Sequence, residues 1–246
     1  MISIVICTLN EQNYLPKLLD SIKLQTELKY EVIVVDAGSE DRTEEVAKEY
    51  LLNGMPLNFI SSKGVRNISA QRNIGARNAQ YERLLFLDAD VVLPNNFLVD
   101  ALNELSLKNI TVAGTKIYAA ESQFKYRYLY WNYSNLYMPL VRVFKPIIHG
   151  CSIFSTKAAH NLIGGFNEGL IFEDYRYGVD AGKHFKVILL KKAYVKTSAR
   201  RFYNNSFRGT MELLLAGGYS FFRTGIKGKY MKTYHEVTGN HSEPKY

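Results

Sequence analysis

The stretch "YERLLFLDADVV", Tyr81–Val92, ends an apolar run on two carboxylates, Asp88 and Asp90. The run Leu84–Leu87 is typical of a buried β-strand. An ionised carboxylate is costly to bury unless a cation or hydrogen-bond donor meets it. The stretch therefore predicts that a metal ion, basic side chains or solvent lies where this strand ends.

Strand and helix patterns alternate through the first half of the chain. Short β-rich runs such as Ile2–Thr8 and Val32–Val35 are each followed by a segment with helical features. This alternation predicts an α/β fold with a mostly parallel sheet and helices on both faces, whereas the second half is less regular. Ligands of such sheets bind beyond the carboxyl ends of the strands, so Thr8, Asp36 and the Asp88–Asp90 pair are expected to share one crevice.

Length, charge and cysteine content limit the class of protein. A chain of 246 residues with 47% hydrophobic content fits one large domain. The net charge of +8 favours anionic partners without choosing among them. Cys7 and Cys151 form no disulfide or zinc-binding pattern, which indicates a reducing compartment. The sequence shows no positive leader and no apolar stretch long enough to span a membrane, so a cytoplasmic location is expected.

Five side chains have expected roles in local structure. Asp41 and Glu44 make an acidic capping box for the helix after the second strand, and Ser69 is expected to cap the next helix. His160 is expected on the surface of a short helix. His149 is left outside the metal site, because lone histidines are mostly structural.

Five segments match known motifs in a fixed order: "VICTLNEQNYLPKLLDSI", "EVIVVDAGSEDRT", "GVRNISAQRNIGARNA", "LLFLDADVVLP" and "IGGFNEGLIFED". With this order, from Ile2 to about Gly182, the chain resembles the family 2 glycosyltransferases, which have the GT-A fold. The resemblance implies one domain, residues 1–246, with a nucleotide-sugar-binding half at 1–117 and an acceptor-binding half at 118–227. A closing helix is expected at Met211–Thr224, before a polar tail at 228–246.

The resemblance also implies an activity and a set of site residues. One sugar would move, with inversion, from a UDP-, GDP- or dTDP-linked donor to a hydroxyl of a glycan or lipid-linked acceptor. Asp90 and Asp88 would hold Mn²⁺ or Mg²⁺, and Asp174 would be the general base. Asp36 would read the base, with Asp41 as the second acidic position of its motif. The residues expected to bind the nucleotide sugar are Thr8, Asn10, Glu11, Asp36, Arg72, Asn73, Asp88, Ala89, Arg200 and Arg201.

A structural interpretation stays open for each motif. The Asp88–Asp90 pair would also cap a following turn, and Glu173–Asp174 would also suit a plain acidic helix start. The paired arginines of "SARRF", Arg200 and Arg201, suit either a diphosphate or a solvated basic turn. Many relatives have another acidic residue two positions after "ED" and then an arginine. Here Arg176 and Asp180 stand only near those positions, so the acceptor side is left open.

The stretch Phe124–Ile148 is dense in aromatic residues interleaved with Lys and Arg. Such a composition suits the interface between water and an anionic membrane, where it would present a lipid-linked acceptor. The alternative is that these aromatic residues pack over the sheet. Both interpretations stay open at this point.

Two other classes of protein are considered. A sugar-nucleotide nucleotidyltransferase would also use paired aspartates, but it would carry a glycine-rich loop after the first strand, and "TLNEQNY" has no glycine. A non-catalytic nucleic-acid module would explain the charge and the aromatic residues but not "DAD" and "FED". A nucleic-acid partner is therefore not expected.

Overall fold

The computed structural model describes residues 1–25, 29–170 and 172–200. The strands are β1 (Ile2–Thr8), β2 (Tyr30–Asp36), β3 (Leu57–Ser61), β4 (Arg83–Asp88), β5 (Val91–Val92), β6 (Val112–Ala119), β7 (Ser152–Thr156) and β8 (Val187–Thr197). The helices are α1 (Leu15–Lys23), α2 (Thr43–Leu52), α3 (Ile68–Asn78), α4 (Phe97–Leu107), α5 (Phe124–Asn132), α6 (Met138–Arg142), α7 (Lys157–Leu162) and α8 (Glu173–Ala181), and a π-helical turn, Tyr133–Tyr137, joins α5 to α6. Arg201, the expected closing helix and the polar tail lie outside the described residues.

The described strands form one sheet in the order β3-β2-β1-β4-β7-β6-β8-β5. The first four of these strands are parallel, and β6 is parallel to β8. Strand β7 runs antiparallel between β4 and β6, and β5 runs antiparallel to β8. The parallel first half and the mixed second half confirm the expected fold class.

Strand register places the predicted crevice at one edge of the sheet. Thr8 lies opposite Asp36 on β2, and Cys7 lies opposite Asp88 on β4. Apolar, buried residues directly precede these strand ends: Ile4–Cys7 in β1, Val32–Val35 in β2 and Leu84–Leu87 in β4. The three strand ends therefore present their side chains and loops to the same edge, as predicted.

The two faces of the sheet carry separate apolar layers. Ile4 and Ile6 of β1 belong to the layer that includes α1 and α4, whereas Val5 belongs to the layer on the other face. Helix α3 lies very close to β1 on that second face, since a Cβ built on Gly75 would lie 2.2 Å from Val5 Cγ1. Glycine at position 75 therefore sets how closely α3 and the site residues that it carries approach the sheet.

Three local expectations are wrong. Helix α3 is capped by Asn67, whose side chain accepts from the Ala70 N–H, and Ser69 lies inside the helix. The expected capping box of Asp41 and Glu44 is not found at α2, whose N-cap is Arg42 without a side-chain capping bond. Asp41 accepts from the N–H groups of Thr43 and Gln12, and its carboxylate so joins the loops after β1 and β2. His160 is buried, because aromatic rings surround it and its Nδ1 lies 3.1 Å from a tyrosine hydroxyl.

The aromatic stretch after β6 forms α5, the π turn and α6. Some of its side chains are buried, as the packing interpretation requires, but many large apolar side chains are exposed. Within the described ranges, no helix combines the length and apolar character needed to cross a membrane.

Gly75→Ala is expected to lower the free energy of unfolding by about 1–2 kcal/mol, because overpacking against Val5 costs more than the gain in helix propensity of ~1 kcal/mol. The change is measured by urea unfolding. Asn78→Ala, at an exposed position of the same helix, is the control and should stay within about 0.5 kcal/mol of the wild type. Equal midpoints for the two variants would contradict the close packing of α3 on β1.

Candidate functional site

The loops after β1 and β2 are joined by hydrogen bonds. The N–H groups of Glu11 and Gln12 donate to the side chains of Thr43 and Asp41, at 2.8 and 3.1 Å. Asn10, which has a positive φ of 57°, accepts from the Glu40 N–H through its side chain. Two loops distant in sequence thus form one rim of the crevice.

Asp36 lies at the base of this rim and is almost wholly buried. Its Oδ1 accepts from the hydroxyls of Thr8 and Ser39, at 2.8 and 2.5 Å. Its Oδ2 accepts from the N–H groups of Gly38 and Ser39, at 2.9 and 2.8 Å. These bonds explain how a carboxylate is tolerated here, and they hold the loop in place. Contact of Asp36 with a nucleotide base stays a prediction.

The guanidinium of Arg72 joins the two acidic motifs. It is 1% exposed and donates to Asp88 Oδ1 at 2.9 Å, to Glu173 Oε1 at 2.7 Å and to the carbonyl oxygen of Gly150 at 3.1 Å. The ring of Phe166 lies beneath it, 5.1 Å away. Burial lowers the pKa of Arg72, but the carboxylates of Asp88 and Glu173 outweigh burial and raise it above its usual range. A permanently charged Arg72 therefore stands between β4 and α8.

Asp174 lies beside this bridge, at the start of α8. Its Oδ2 accepts from the Gly150 N–H at 2.6 Å, and its Oδ1 accepts from the Tyr175 N–H at 2.8 Å. Burial raises the pKa of Asp174 to about 7, and the neighbouring Glu173 adds to the rise while Arg72 opposes it. A carboxylate with such a pKa can take up a proton near neutral pH.

Gly150 is a contact point that the sequence did not single out. Its N–H serves Asp174 and its carbonyl oxygen serves Arg72. A Cβ at this position would lie 2.7 Å from Arg72 Nη2 and 3.3 Å from Asp174 Oδ2. Close approach of the backbone to both side chains therefore requires glycine here.

Arg200 bridges two carboxylates on the other side of the crevice. It donates to both oxygens of Glu11, at 2.9 and 2.5 Å, and its Nε lies 3.3 Å from Asp90 Oδ2. The Tyr14 ring lies 4.3 Å from the guanidinium carbon. Burial raises the pKa of Glu11 to about 7, against the effect of Arg200. Arg200 thus holds the loop after β1 against the turn after β4, in which Ala89 precedes Asp90.

The donor groups fit a divalent ion only in part. Across 1–25, 29–170 and 172–200, no group of three or more His, Cys, Asp and Glu could hold a metal by itself. Asp88 and Asp90 offer the hard oxygen ligands that Mg²⁺ and Mn²⁺ prefer, and such ions complete their shell with substrate phosphates. Because Arg72 and Arg200 already contact these carboxylates, the pair fits an ion that arrives together with phosphate oxygens.

Asn73 fastens the motif before α8 to α3. Its amide donates to the Phe166 carbonyl oxygen at 2.9 Å and to Glu168 Oε1 at 3.0 Å, and it accepts from the Phe166 N–H at 2.9 Å. Asn67 donates to the Glu168 carbonyl oxygen in the same way. The segments "QRNIG" and "GGFNEG" are thus two parts of one unit. Direct contact of Asn73 or Arg72 with a nucleotide stays a prediction.

His149 is buried close to the site, and burial lowers its pKa to about 4. Its Nε2 lies 2.6 Å from the Thr115 carbonyl oxygen, which assigns the hydrogen to Nε2. Nδ1 is then an acceptor, without a hydrogen-bond partner in the described residues. The geometry shows a neutral ring held against β6 and gives no reason to add it to the metal ligands.

Several site residues were missed by sequence reasoning. The sequence motifs give no separate role to Glu173, Gly150, Tyr14 or Thr197, whose hydroxyl lies 3.4 Å from Asp90 Oδ1. Glu173 carried a usable signal, since a buried arginine next to two acidic motifs needs two partners. The contacts of Tyr14 and Thr197 depend on how loops and strand ends meet, for which the local sequence has no signal.

Arg72→Met is expected to lower the free energy of unfolding by about 3–5 kcal/mol, because Asp88 and Glu173 would lose their buried partner. The control is Arg66→Met, which breaks an exposed pair with Glu40 and should cost less than about 1 kcal/mol. Denaturant unfolding of both variants measures the difference. Comparable losses would show that the bridge is not a major support of the fold.

The family model for glycosyl transferase family 2 matches residues 3–162. A glycosyltransferase of Rickettsia conorii is 30% identical over 179 residues, which are 69% of this chain and 29% of the relative. Glycosyltransferase GlyA of Streptococcus pneumoniae is 25% identical over 202 residues, 79% of this chain and 29% of the relative. The chain therefore spans less than a third of the length of these two relatives.

Solved structures are similar in fold. Mannosyltransferase PcManGT from Pyrobaculum calidifontis, in complex with GDP-Man and Mn²⁺, has a TM-score of 0.71 and 17% identity over 96% of this chain and 68% of its own. S. aureus TarS 1–349, in complex with UDP-GlcNAc, has a TM-score of 0.66 and 22% identity over 81% of this chain and 58% of its own. The expected GT-A fold is thereby confirmed. The family-model match over residues 3–162, more than half of the 246 residues, shows that the chain belongs to glycosyl transferase family 2.

Proposed function

We propose that this chain transfers one sugar from a nucleoside-diphosphate sugar to an acceptor hydroxyl, with inversion at the anomeric carbon. The observation that carries the proposal is the Arg72 bridge, which holds Asp88 of "DAD" and Glu173 of "FED" on one guanidinium. This bridge connects the end of β4, which is expected to bind the donor, to the start of α8, which carries the expected base Asp174. A plain turn cap and a plain helix start would not need this connection.

The donor is proposed to lie across the carboxyl ends of β1, β2 and β4. This edge carries Thr8, Asn10, Glu11, Asp36, Asp88 and Ala89, and Arg200 reaches it from the end of β8. The similar structures TarS 1–349 and PcManGT are complexes with UDP-GlcNAc and GDP-Man, which supports a nucleoside-diphosphate sugar as the donor. Uridine, guanosine and thymidine donors remain equal candidates.

Asp174 is proposed to accept the proton of the acceptor hydroxyl as that oxygen attacks the anomeric carbon. Its hydrogen bonds from the N–H groups of Gly150 and Tyr175 hold the carboxylate in place while it accepts. A bound Mn²⁺ or Mg²⁺ would stabilise the negative charge that develops on the departing diphosphate. Asp90 and Asp88 are the residues proposed to hold it, and Arg200 is proposed to move from Asp90 toward the diphosphate.

The acceptor is proposed to be a glycan or a lipid-linked glycan. Next to Asp174 on α8 is Tyr175, whose hydroxyl lies 3.4 Å from that of Tyr133, and these two tyrosines are proposed to face the acceptor. A nucleotidyltransferase or a nucleic-acid module would leave the buried Asp174 without a role. Turnover of a sugar nucleotide, with release of the nucleoside diphosphate, separates glycosyl transfer from both alternatives.

Asp174→Asn is expected to lower kcat by about 10²–10⁴-fold, because the amide cannot accept a proton. In the wild type only the ionised carboxylate of Asp174 can accept a proton. The value of kcat/KM should therefore be low in acid, rise as the pH approaches 7 and level off above it. Release of nucleoside diphosphate in the presence of a trial acceptor measures both. The control is Asp180→Asn on the same helix, where the carboxylate pairs with Arg176 and Lys183.

A wild-type rate that does not change across neutral pH would contradict the role of Asp174 as base. The same conclusion follows if Asp174→Asn turns over donor as fast as Asp180→Asn does. Thermal shift with nucleoside diphosphate checks that both variants keep the donor site.

Arg200→Met is expected to bind Mn²⁺ without nucleotide about tenfold more tightly than the wild type, because a cation no longer competes for Asp90. Asp90→Asn should lose the Mn²⁺ that binds together with nucleoside diphosphate. The electron paramagnetic resonance signal of free Mn²⁺ measures both affinities, and Arg66→Met is the control. Equal Mn²⁺ affinity in Arg200→Met and the wild type would contradict the competition.

A further inference from the structure

The segment from α5 to α6 carries a concentrated set of exposed apolar side chains, here called the α5–α6 face. Its members are Phe124, Tyr128, Leu129, Trp131, Leu136, Tyr137, Leu140, Val143 and Phe144. The most exposed of them are Phe124 at 79%, Val143 at 77% and Phe144 at 73%. Apolar groups scattered singly are ordinary on a protein surface, but a contiguous patch marks a contact with a partner or a membrane.

The opposite side of the same segment is firmly attached to the sheet. Tyr126, Tyr130, Ser134 and Met138 are buried, at a constant spacing of four residues. Ser134 Oγ donates to the Ile117 carbonyl oxygen at 2.6 Å and accepts from the Ile117 N–H at 3.0 Å. An α-helix has 3.6 residues per turn, so residues four apart drift around it, and the wider π turn offsets the drift. The exposed face is therefore the outer side of an ordered layer.

The charges of this region are of one sign. From Ser122 to Asn167 the sequence has no Asp or Glu. Lys125 and Arg127 are exposed, and Lys145 is half-buried. Arg142 is used differently, since it donates to the carbonyl oxygens of Ile147 and Val187. An apolar face with basic and no acidic residues complements a surface that is both apolar and anionic, whereas a second copy of this face would bring like charges together.

The same layer reaches the proposed catalytic centre. Tyr133, on the π turn, lies 3.4 Å from the Tyr175 hydroxyl, and the Tyr175 N–H donates to Asp174. The exposed side chains of the α5–α6 face and Tyr133, which contacts the neighbour of Asp174, therefore belong to one short helical segment. A membrane against the α5–α6 face would lie next to the acceptor side of the crevice.

We propose that the α5–α6 face docks on the surface of an anionic lipid bilayer. Its aromatic and aliphatic side chains enter the interface, while Lys125 and Arg127 meet the lipid headgroups. The acceptor class that follows, a glycan attached to a membrane lipid, rests on the proposed function. The docking itself does not, because it depends only on the surface.

The test is flotation of the full-length protein with vesicles of phosphatidylcholine alone and of phosphatidylcholine mixed with phosphatidylglycerol. The wild type is expected to float with the anionic vesicles, less so at high salt, and to float poorly with neutral ones. Leu136→Glu/Leu140→Glu should lower the bound fraction about tenfold, because two leucine side chains would be lost from the lipid interface and two carboxylates would face the anionic headgroups. Lys125→Glu/Arg127→Glu should lower it with anionic vesicles in particular.

The matched control is Leu52→Glu/Leu107→Glu, which makes the same change at leucines that are 85% and 87% exposed elsewhere on the molecule. It should float as the wild type does. Thermal shift with nucleoside diphosphate and hydrolysis of the donor in water should be unchanged in all three variants, so a failure of docking and a failure of the proposed function are told apart.

Three outcomes overturn the docking proposal. In the first, the wild type stays with the soluble fraction at low salt. In the second, the control variant loses as much flotation as Leu136→Glu/Leu140→Glu. In the third, the wild type does not float and instead self-associates or binds single-stranded oligonucleotide through this face.

Discussion

The buried guanidinium of Arg72 is the interaction on which the site depends. A charge with 1% exposure is tolerated only where opposite charges and hydrogen-bond acceptors surround it, and Asp88, Glu173 and the Gly150 carbonyl oxygen supply them. Each of these partners belongs to a different part of the chain. The planar fork of arginine can serve all three at once, which the single ammonium of lysine cannot do with the same geometry. Helix α3 must also lie close to the sheet for this reach, as Gly75 allows.

This arrangement gives the acidic groups of one crevice different properties. Asp88 pairs with Arg72, which also binds Glu173, and Asp90 pairs with Arg200, which also binds Glu11. Among the residues that the structure describes, Asp174 accepts its hydrogen bonds from N–H groups, and burial raises its pKa to about 7. A carboxylate with a cation partner is suited to hold charge, whereas one without such a partner is suited to exchange a proton. The roles proposed for Asp90 and Asp174 agree with this difference in direct partners, but a partner arginine does not by itself set the pKa, because burial raises that of Glu11 to about 7 beside Arg200.

The first half of the fold could be predicted from the sequence because its signals are local. The apolar run of β1 is predicted with its observed bounds, and parallel order puts Thr8, Asp36 and Asp88 at one edge. The antiparallel strand β7 inserted between β4 and β6 was not predictable, since pairing across a sheet leaves no periodic signal. His160 was misassigned for the same reason: its burial depends on rings from β4 and α8. In the site, the sequence indicates which acidic and basic residues take part, but not that Arg72 pairs with Asp88 and Arg200 with Asp90.

Arg200 shows how one side chain can serve two states of such a crevice. Glu11 and Asp90 come from separate loops, and without a cation between them two carboxylates would be drawn together in a half-buried space, which is unfavourable. Arginine satisfies both with three donors and rests on the Tyr14 ring, so it holds the loop after β1 against the turn after β4. A diphosphate offers the same guanidinium more negative charge, and a divalent ion offers Asp90 more positive charge. In the proposed reaction, each of these ligands would take one partner of the existing ion pair, and Arg200 would couple donor binding to metal binding.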